Sequence, residues 1–212
     1  MHFMVTAVDI AILPPDPIRE MAIKLSKKIN PPDFCLNETD ILPHITLAIG
    51  FVENVDVAKK KIAEIMQNFE PLQLIVERIE GRYLIIKKGA EMEKLHRQVT
   101  VQTDFIKPDD GFWASSPRSA GGAGQNDSNR AYFVKPGQEI SEQTKEYTNS
   151  FKRENSFGNW IPHITIGWDD KADTSKLKAR FPQKFTVNEI AICQLGNNNT
   201  CRKVLARLPL GD

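Results

Sequence analysis

The sequence predicts an α+β protein that uses one element order twice, and three observations carry that prediction. A six-residue stretch occurs as Leu42-Pro43-His44-Ile45-Thr46-Leu47 and again as Ile161-Pro162-His163-Ile164-Thr165-Ile166. Segments of period-two alternation and segments with apolar residues at helical spacing succeed one another along the chain. The 212 residues, 41% of them hydrophobic, can bury the core of one large domain or of two small lobes, read as a single bilobed domain spanning 1–212.

In chain order, Phe3 to Ile12 alternates and reads as a strand that Pro14-Pro15 ends. Asp16-Pro17 opens a helix with Ile18, Met21, Ala22, Leu25 and Ile29 on one side and a solvated face of Lys24, Lys27 and Lys28 on the other. The first motif strand runs from about His44 to Val52. Asp56 is expected to cap the next helix, whose stripe is Ala58, Ile62, Ile65, Met66 and Phe69 and which Pro71 closes. Gln73 to Glu80 and Arg82 to Lys88 form a predicted hairpin around Gly81. Ala90 to about Phe105 reads as a helix with Met92, Leu95, His96 and Val99 on its apolar side. His96 on that stripe is expected to be a core-edge histidine with a satisfied hydrogen bond.

Between Lys107 and Arg130 the residues turn to Pro, Gly, Ser, Asn and Asp, so a long flexible loop or lid is expected over about 107–130. It lacks the Gly-Lys-Ser/Thr ending of a phosphate-cradling P-loop. Arg130 to Lys135 is a short strand candidate. A helix marked by Ile140, Thr144, Tyr147, Thr148 and Phe151 follows, then the second motif strand, Trp160 to Trp168. Asp173 is expected to cap a short helix ended by Pro182. Phe185 to Leu195 and Cys201 to Leu208 are read as two strands around an asparagine turn.

Composition narrows the function. With 28 basic and 27 acidic residues the formal charge is +1, so no global field would hold a long polyanion, and any nucleic-acid partner is expected to be short. No run of eighteen apolar residues occurs, and Met1 to Ile12 lacks the pattern of a signal peptide. A soluble, cytoplasmic protein without a membrane partner is expected. The three cysteines, Cys35, Cys193 and Cys201, support neither a disulfide framework nor a zinc ribbon. They are read as reduced buried thiols, with a Cys193–Cys201 cross-hairpin disulfide as the alternative.

The chemistry lies in the repeated stretch. Strand alternation puts His44 and Thr46 on one face, and His163 and Thr165 on one face, while Ile45, Leu47, Ile164 and Ile166 point into the core. By the same parity Phe51, Trp160 and Trp168 belong to the core. If the halves are duplicates, the two strands meet about a pseudo-twofold axis with both imidazoles lining one cleft. One neutral and one protonated imidazole make an acid/base pair near neutrality, and threonine hydroxyls donate to phosphoryl oxygens. A metal site would need further ligands, and the motifs contain no carboxylate or cysteine. Trp113 and Tyr132 are candidates for stacking on a base, with Arg130 as a cation; for Arg130 and Tyr132 the alternative is an ordinary surface arginine and a half-buried tyrosine.

The pair His44-Ile45-Thr46-Leu47 and His163-Ile164-Thr165-Ile166 resembles the twin His-hydrophobic-Thr-hydrophobic motif of the 2H phosphoesterase superfamily. That group includes RNA 2′,3′-cyclic phosphodiesterases (called 2′-5′ RNA ligases) and 2′,5′-oligoadenylate phosphodiesterases. Both motifs match in full, although Gly167-Trp168 stands where the RNA ligase branch has an arginine-bearing extension. The resemblance implies a bilobed, internally duplicated α+β fold, with two antiparallel sheets facing a central cleft and helices on their outer faces. It further implies cofactor-free, metal-independent hydrolysis of a 2′,3′-cyclic phosphate or 2′,5′-phosphodiester in RNA ends, short oligonucleotides or small nucleotides. His44 and His163 would then be acid and base in an order the motifs leave open, with Thr46 and Thr165 on the phosphate. The rival reading is a non-catalytic nucleotide- or RNA-binding module on the same fold.

Overall fold

The computed structural model describes residues 5–31, 35–106, 133, 140–168, 174 and 177–211. The 107–130 stretch with Trp113 and Arg130, the strand candidate with Tyr132, and the Asp173 cap lie outside the described residues. Among those described, the α+β expectation is met by strands β1 (Thr6–Ile12), β2 (Ile45–Val52), β3 (Leu72–Glu80), β4 (Tyr83–Ile86), β5 (His163–Thr165), β6 (Gln183–Val187), β7 (Glu189–Leu195) and β8 (Cys201–Pro209). The helices are α1 (Ile18–Ile29), α2 (Val55–Met66), α3 (Ala90–Gln102) and α4 (Glu142–Glu154).

The strands form one eight-stranded sheet in the order β6-β3-β4-β5-β2-β1-β7-β8, and every neighbouring pair is antiparallel. This corrects the expectation of two separate sheets facing each other. Two four-stranded halves are joined edge to edge where the motif strands pair, at Ile45↔Ile164. Nor does each half of the sheet correspond to one half of the chain: β1 and β2 share a half with the late β7 and β8, and β3 and β4 share the other with β5 and β6. The stretch read as one strand over Phe185 to Leu195 is divided at Asn188 into β6 and β7, which occupy distant places in the strand order. A single residue between two such strands requires the sheet to curl, bringing its first and seventh positions close together.

Several local expectations are corrected by polar pairing. The cap of α2 is Asn54, not Asp56: its Oδ1 accepts from the backbone N–H of Asp56 at 2.8 Å and of Val57 at 3.2 Å, and Asp56 sits in the first turn facing the helix dipole. Helix α3 stops at Gln102, short of Phe105, whose ring fills the space that a β-carbon at Gly50 would need. Strand β5 is shorter than expected because the side chain of Asn30, just beyond α1, takes over the following backbone. Its Nδ2 donates to the Ile166 carbonyl at 2.7 Å and its Oδ1 accepts from the Trp168 N–H at 3.1 Å. Cys193 and Cys201 are free and buried; Cys193 lies opposite Val204 and Cys201 opposite Leu195, so the hairpin does not present them as a directly opposed pair.

The core follows the alternation. Ile45, Leu47 and Ile164 are fully buried, Ile166 is 1% exposed, and His44, Thr46, His163 and Thr165 on the opposite face are half-buried. Trp160 is buried, as expected, whereas Trp168 is only half-buried against the core edge. Phe51 is buried too, but for another reason. A bulge in β2 pairs Ala11 with Thr46 and Ile10 with Ala48, skipping Leu47. Beyond the bulge Phe51 pairs with Ala7 and lies on the Thr46 face, packed edge-on against Phe133. Asp9, two residues from the Ala11 that pairs with Thr46, lies on that face as well.

Candidate active site

Each motif histidine is set by the proline before it. Leu42 and Ile161 precede Pro43 and Pro162 and are thereby restricted to extended conformations. Each turns its carbonyl to the imidazole two residues on: Leu42 O accepts from His44 Nδ1 at 2.8 Å, and Ile161 O from His163 Nδ1 at 2.7 Å. A carbonyl only accepts, so both rings carry their proton on Nδ1 when neutral and leave the Nε2 lone pair for chemistry. The repeated proline is thus part of the site.

The antiparallel pairing Ile45↔Ile164 places His44 opposite Thr165 and Thr46 opposite His163. Directly opposed side chains stand about 5 Å apart at Cβ, so two imidazoles and two hydroxyls share one small area of the sheet. The structure therefore brings together the four residues read from the motifs. Burial pushes the His44 pKa down, and the Leu42 hydrogen bond offsets part of that. His163 is also pushed down, first by burial and further by the positive charges of His44 and Arg82. Both histidines favour the neutral form.

Asp9 is absent from the candidates read off the sequence, yet it lies at the centre of the site. It is fully buried in β1, its Oδ2 accepts from the Thr46 hydroxyl at 2.7 Å and lies 3.4 Å from His44 Nε2, and its Oδ1 is buried without a hydrogen-bond partner among the described residues. Burial pushes its pKa up to about 7, with the Thr46 and Cys201 hydrogen bonds opposing the rise. With the carboxyl raised and the imidazole depressed, Asp9 can hold a proton near neutrality with His44 Nε2 facing it at 3.4 Å. The signal for Asp9 is present in the sequence: it is the sole charged residue in Thr6–Ile12, an otherwise apolar strand. Asp9, His44 and Cys201 also bring three potential metal-ligand atoms within 4.8 Å of one another.

His163 has a different setting. Tyr83, opposite Thr165 in the β4–β5 pairing, meets the His163 ring edge-on with centroids 4.4 Å apart. The Tyr83 hydroxyl accepts from Arg82 Nε at 2.9 Å, and Arg82 Nη1 donates to the Trp168 carbonyl at 2.9 Å. A guanidinium is thus fixed near the second histidine, while Arg130, the cation expected from the sequence, lies outside the described residues. Tyr83 and Arg82 follow the Gly81 turn, and nothing local to that hairpin says that β4 will pair with the second motif strand.

His96 is structural, as its place on the α3 stripe predicts. It is 1% exposed, its Nδ1–H donates to the Leu47 carbonyl at 2.6 Å, its Nε2 accepts from the Phe157 N–H at 2.9 Å, and its ring stacks on Trp160 at 4.1 Å. The Trp160 indole N–H donates to the Thr46 carbonyl at 3.0 Å. This pair therefore ties β2 to the turn that delivers β5. Replacing His96 with Ala leaves the buried Leu47 carbonyl unpaired, at about 1–3 kcal/mol, and frees the part-buried Phe157 N–H at a smaller cost. The expected loss is about 3–5 kcal/mol in urea unfolding, including the lost packing, with a fall in kcat as the motif strands separate.

No protein-family model and no curated protein matches the chain. Among solved structures it is similar to Escherichia coli LigT complexed with NADP+, with 17% identity over 98% of this chain and 99% of that one and a TM-score of 0.47. A structure described as a phosphoesterase gives 15% identity over 98% and 99% of the two chains at a TM-score of 0.47. TT0787 of Thermus thermophilus gives 12% identity over 98% and 100% at 0.49. Likeness at that level does not assign an activity, which the side chains themselves have to do.

Proposed function

We propose that the protein is a phosphodiesterase of the 2H type, hydrolysing a 2′,3′-cyclic phosphate or a 2′,5′-phosphodiester at RNA ends, in short oligonucleotides or in small nucleotides. The observation that carries this reading is the pairing of two His-x-Thr strands at Ile45↔Ile164, each histidine held by an Nδ1 bond that frees Nε2. A site that only binds has no need of two imidazoles with matched tautomers on one patch.

In this reading the surroundings break the symmetry that the motifs left open. His163, beside Arg82 and with its pKa pushed down, stays neutral and takes a proton from water as the water attacks phosphorus. The phosphorus–oxygen bond to the leaving ribose oxygen breaks on the opposite side. That oxygen receives the proton held between Asp9 Oδ2 and His44 Nε2, so His44 is the acid. In this reading Thr46 and Thr165 donate to phosphoryl oxygens, Thr46 by giving up the hydrogen bond that its hydroxyl donates to Asp9 Oδ2, and the Arg82 charge favours the anion. Both proton transfers are supplied by the chain, so no metal or cofactor is required.

A panel of 2′,3′-cyclic nucleotides, 2′,5′-linked oligonucleotides and ordinary 3′,5′ RNA, assayed with and without EDTA, tests this. Cleavage of the first or second class, undiminished by EDTA, is expected. Tight binding without cleavage of any member would instead indicate the binding module, and loss of cleavage with EDTA would refute the metal-free mechanism.

A further inference from the structure

The unpaired Asp9 Oδ1 and the approach of Cys201 are not used by the mechanism above. Cys201, at the start of β8 and fully buried, has its Sγ 3.8 Å from Asp9 Oδ2, while His44 Nε2 lies 3.4 Å from the same oxygen. Around a tetrahedral zinc ion, with bonds of about 2.0–2.3 Å, ligand atoms stand about 3.3–3.8 Å apart. Two of the three separations thus already match such a site, and all three atoms lie within 4.8 Å of one another. One carboxylate and one thiolate balance a divalent charge, and the cation would compensate a carboxylate that burial otherwise penalises. A sulfur, a nitrogen and an oxygen select zinc-like ions over Mg2+ or Ca2+.

We propose that Asp9, His44 and Cys201 bind one zinc-type divalent cation that switches off turnover by occupying the Nε2 lone pair of His44. Binding forms the metal–sulfur, metal–nitrogen and metal–oxygen bonds, and it releases to solvent the Cys201 thiol proton and the proton shared by Asp9 and His44. The inhibition rests on the phosphodiesterase reading, since the cation displaces the proton that His44 would give the leaving oxygen. The binding itself does not.

Titrating the full chain with Co2+ provides a readout separate from activity. One equivalent is expected to bind, with a thiolate-to-cobalt charge-transfer band in the near ultraviolet, and Zn2+ should displace it. Cys201→Ser should abolish the band and weaken Zn2+ binding by at least about tenfold, whereas Cys35→Ser should leave both unchanged. If Cys201→Ser does not fold, His44→Gln should keep the band while weakening binding. Absence of the band in the wild-type protein, or its survival in Cys201→Ser, overturns the site. Stoichiometric Zn2+ should also stop cleavage, and EDTA should restore it. A chain that binds Co2+ in this way but cleaves nothing leaves the site standing and removes the function; cleavage without Co2+ binding does the reverse.

Discussion

Replacing either His44 or His163 with Ala is expected to lower kcat by about 10³-fold, within the range that a positioned general acid or base supplies. On the proposed reading the substrate KM should change little, because that reading assigns the phosphate to the threonine hydroxyls and the Arg82 charge rather than to the imidazoles. Stability should change little in His163→Ala, whose ring makes one local hydrogen bond to a carbonyl two residues away that water can replace. His44→Ala should cost more, because that ring also faces the buried Asp9 carboxylate at 3.4 Å. Each variant therefore needs a urea or thermal unfolding curve beside its rate. A folded His163→Ala protein with wild-type turnover would remove the base assigned here, and the same result for His44→Ala would remove the acid. The double variant should be barely slower than either single one, since the two groups act on the same transition state.

The second large effect is expected at Asp9. Its carboxyl titrates at about 7 in the folded protein against an ordinary value of 3.8, because it is fully buried. The folded state therefore holds a proton between these pH values that the unfolded state has already lost. By linkage the Asp9 contribution to stability falls as pH rises from about 4 to about 7 and is level above that. Asp9→Asn removes this contribution. Its stability relative to wild type should thus grow across the same window, towards about 4 kcal/mol at most. His44, His96 and His163, all pushed down, act in the opposite direction: the folded state resists their protonation, and stability falls as pH drops below 6.5. Taking the difference between variant and wild type cancels His96 and His163 and leaves Asp9 together with His44, which faces it at 3.4 Å. A flat difference from about pH 4 to about pH 8 would mean that Asp9 is ionised throughout.

Activity should report the same group in another way. Wild-type turnover is expected to be bell-shaped, falling at low pH as His163 becomes protonated and at high pH as the proton shared by Asp9 and His44 is lost. In Asp9→Asn no carboxyl helps to hold that proton, and burial alone pushes His44 down. The alkaline limb should then move to lower pH while the acid limb stays in place. Movement of the acid limb instead would reverse the assignment of acid and base.

Much of the site is legible in the sequence because its signals are local. His44, Thr46, His163 and Thr165 can be placed on one face by period-two alternation, since each motif strand has fully or almost fully buried neighbours on its other face. His96 can be set aside because it lies on an apolar helical stripe. Asn54 and Asp56, by contrast, are both good capping residues two positions apart, and only their places relative to the first helical turn decide between them. Parity gives Phe51 the right burial for the wrong reason, because a bulge shifts alternation by one and leaves no clear mark in an apolar run such as Ile45–Val52.

By itself the sequence determined the element types, the two rigid His-x-Thr strands and the tautomer-setting prolines, all of which depend on contacts within a few residues. Tertiary structure decided what surrounds them. That β2 pairs with β5, that β4 brings Arg82 and Tyr83 to His163, and that β1 and β8 bring Asp9 and Cys201 to His44 are consequences of strand order. Strand order is set by which curled arrangement buries the most apolar surface. That is a property of the whole chain, with residues as far apart as Asp9 and Cys201 contributing to it, and no window of neighbouring residues contains it.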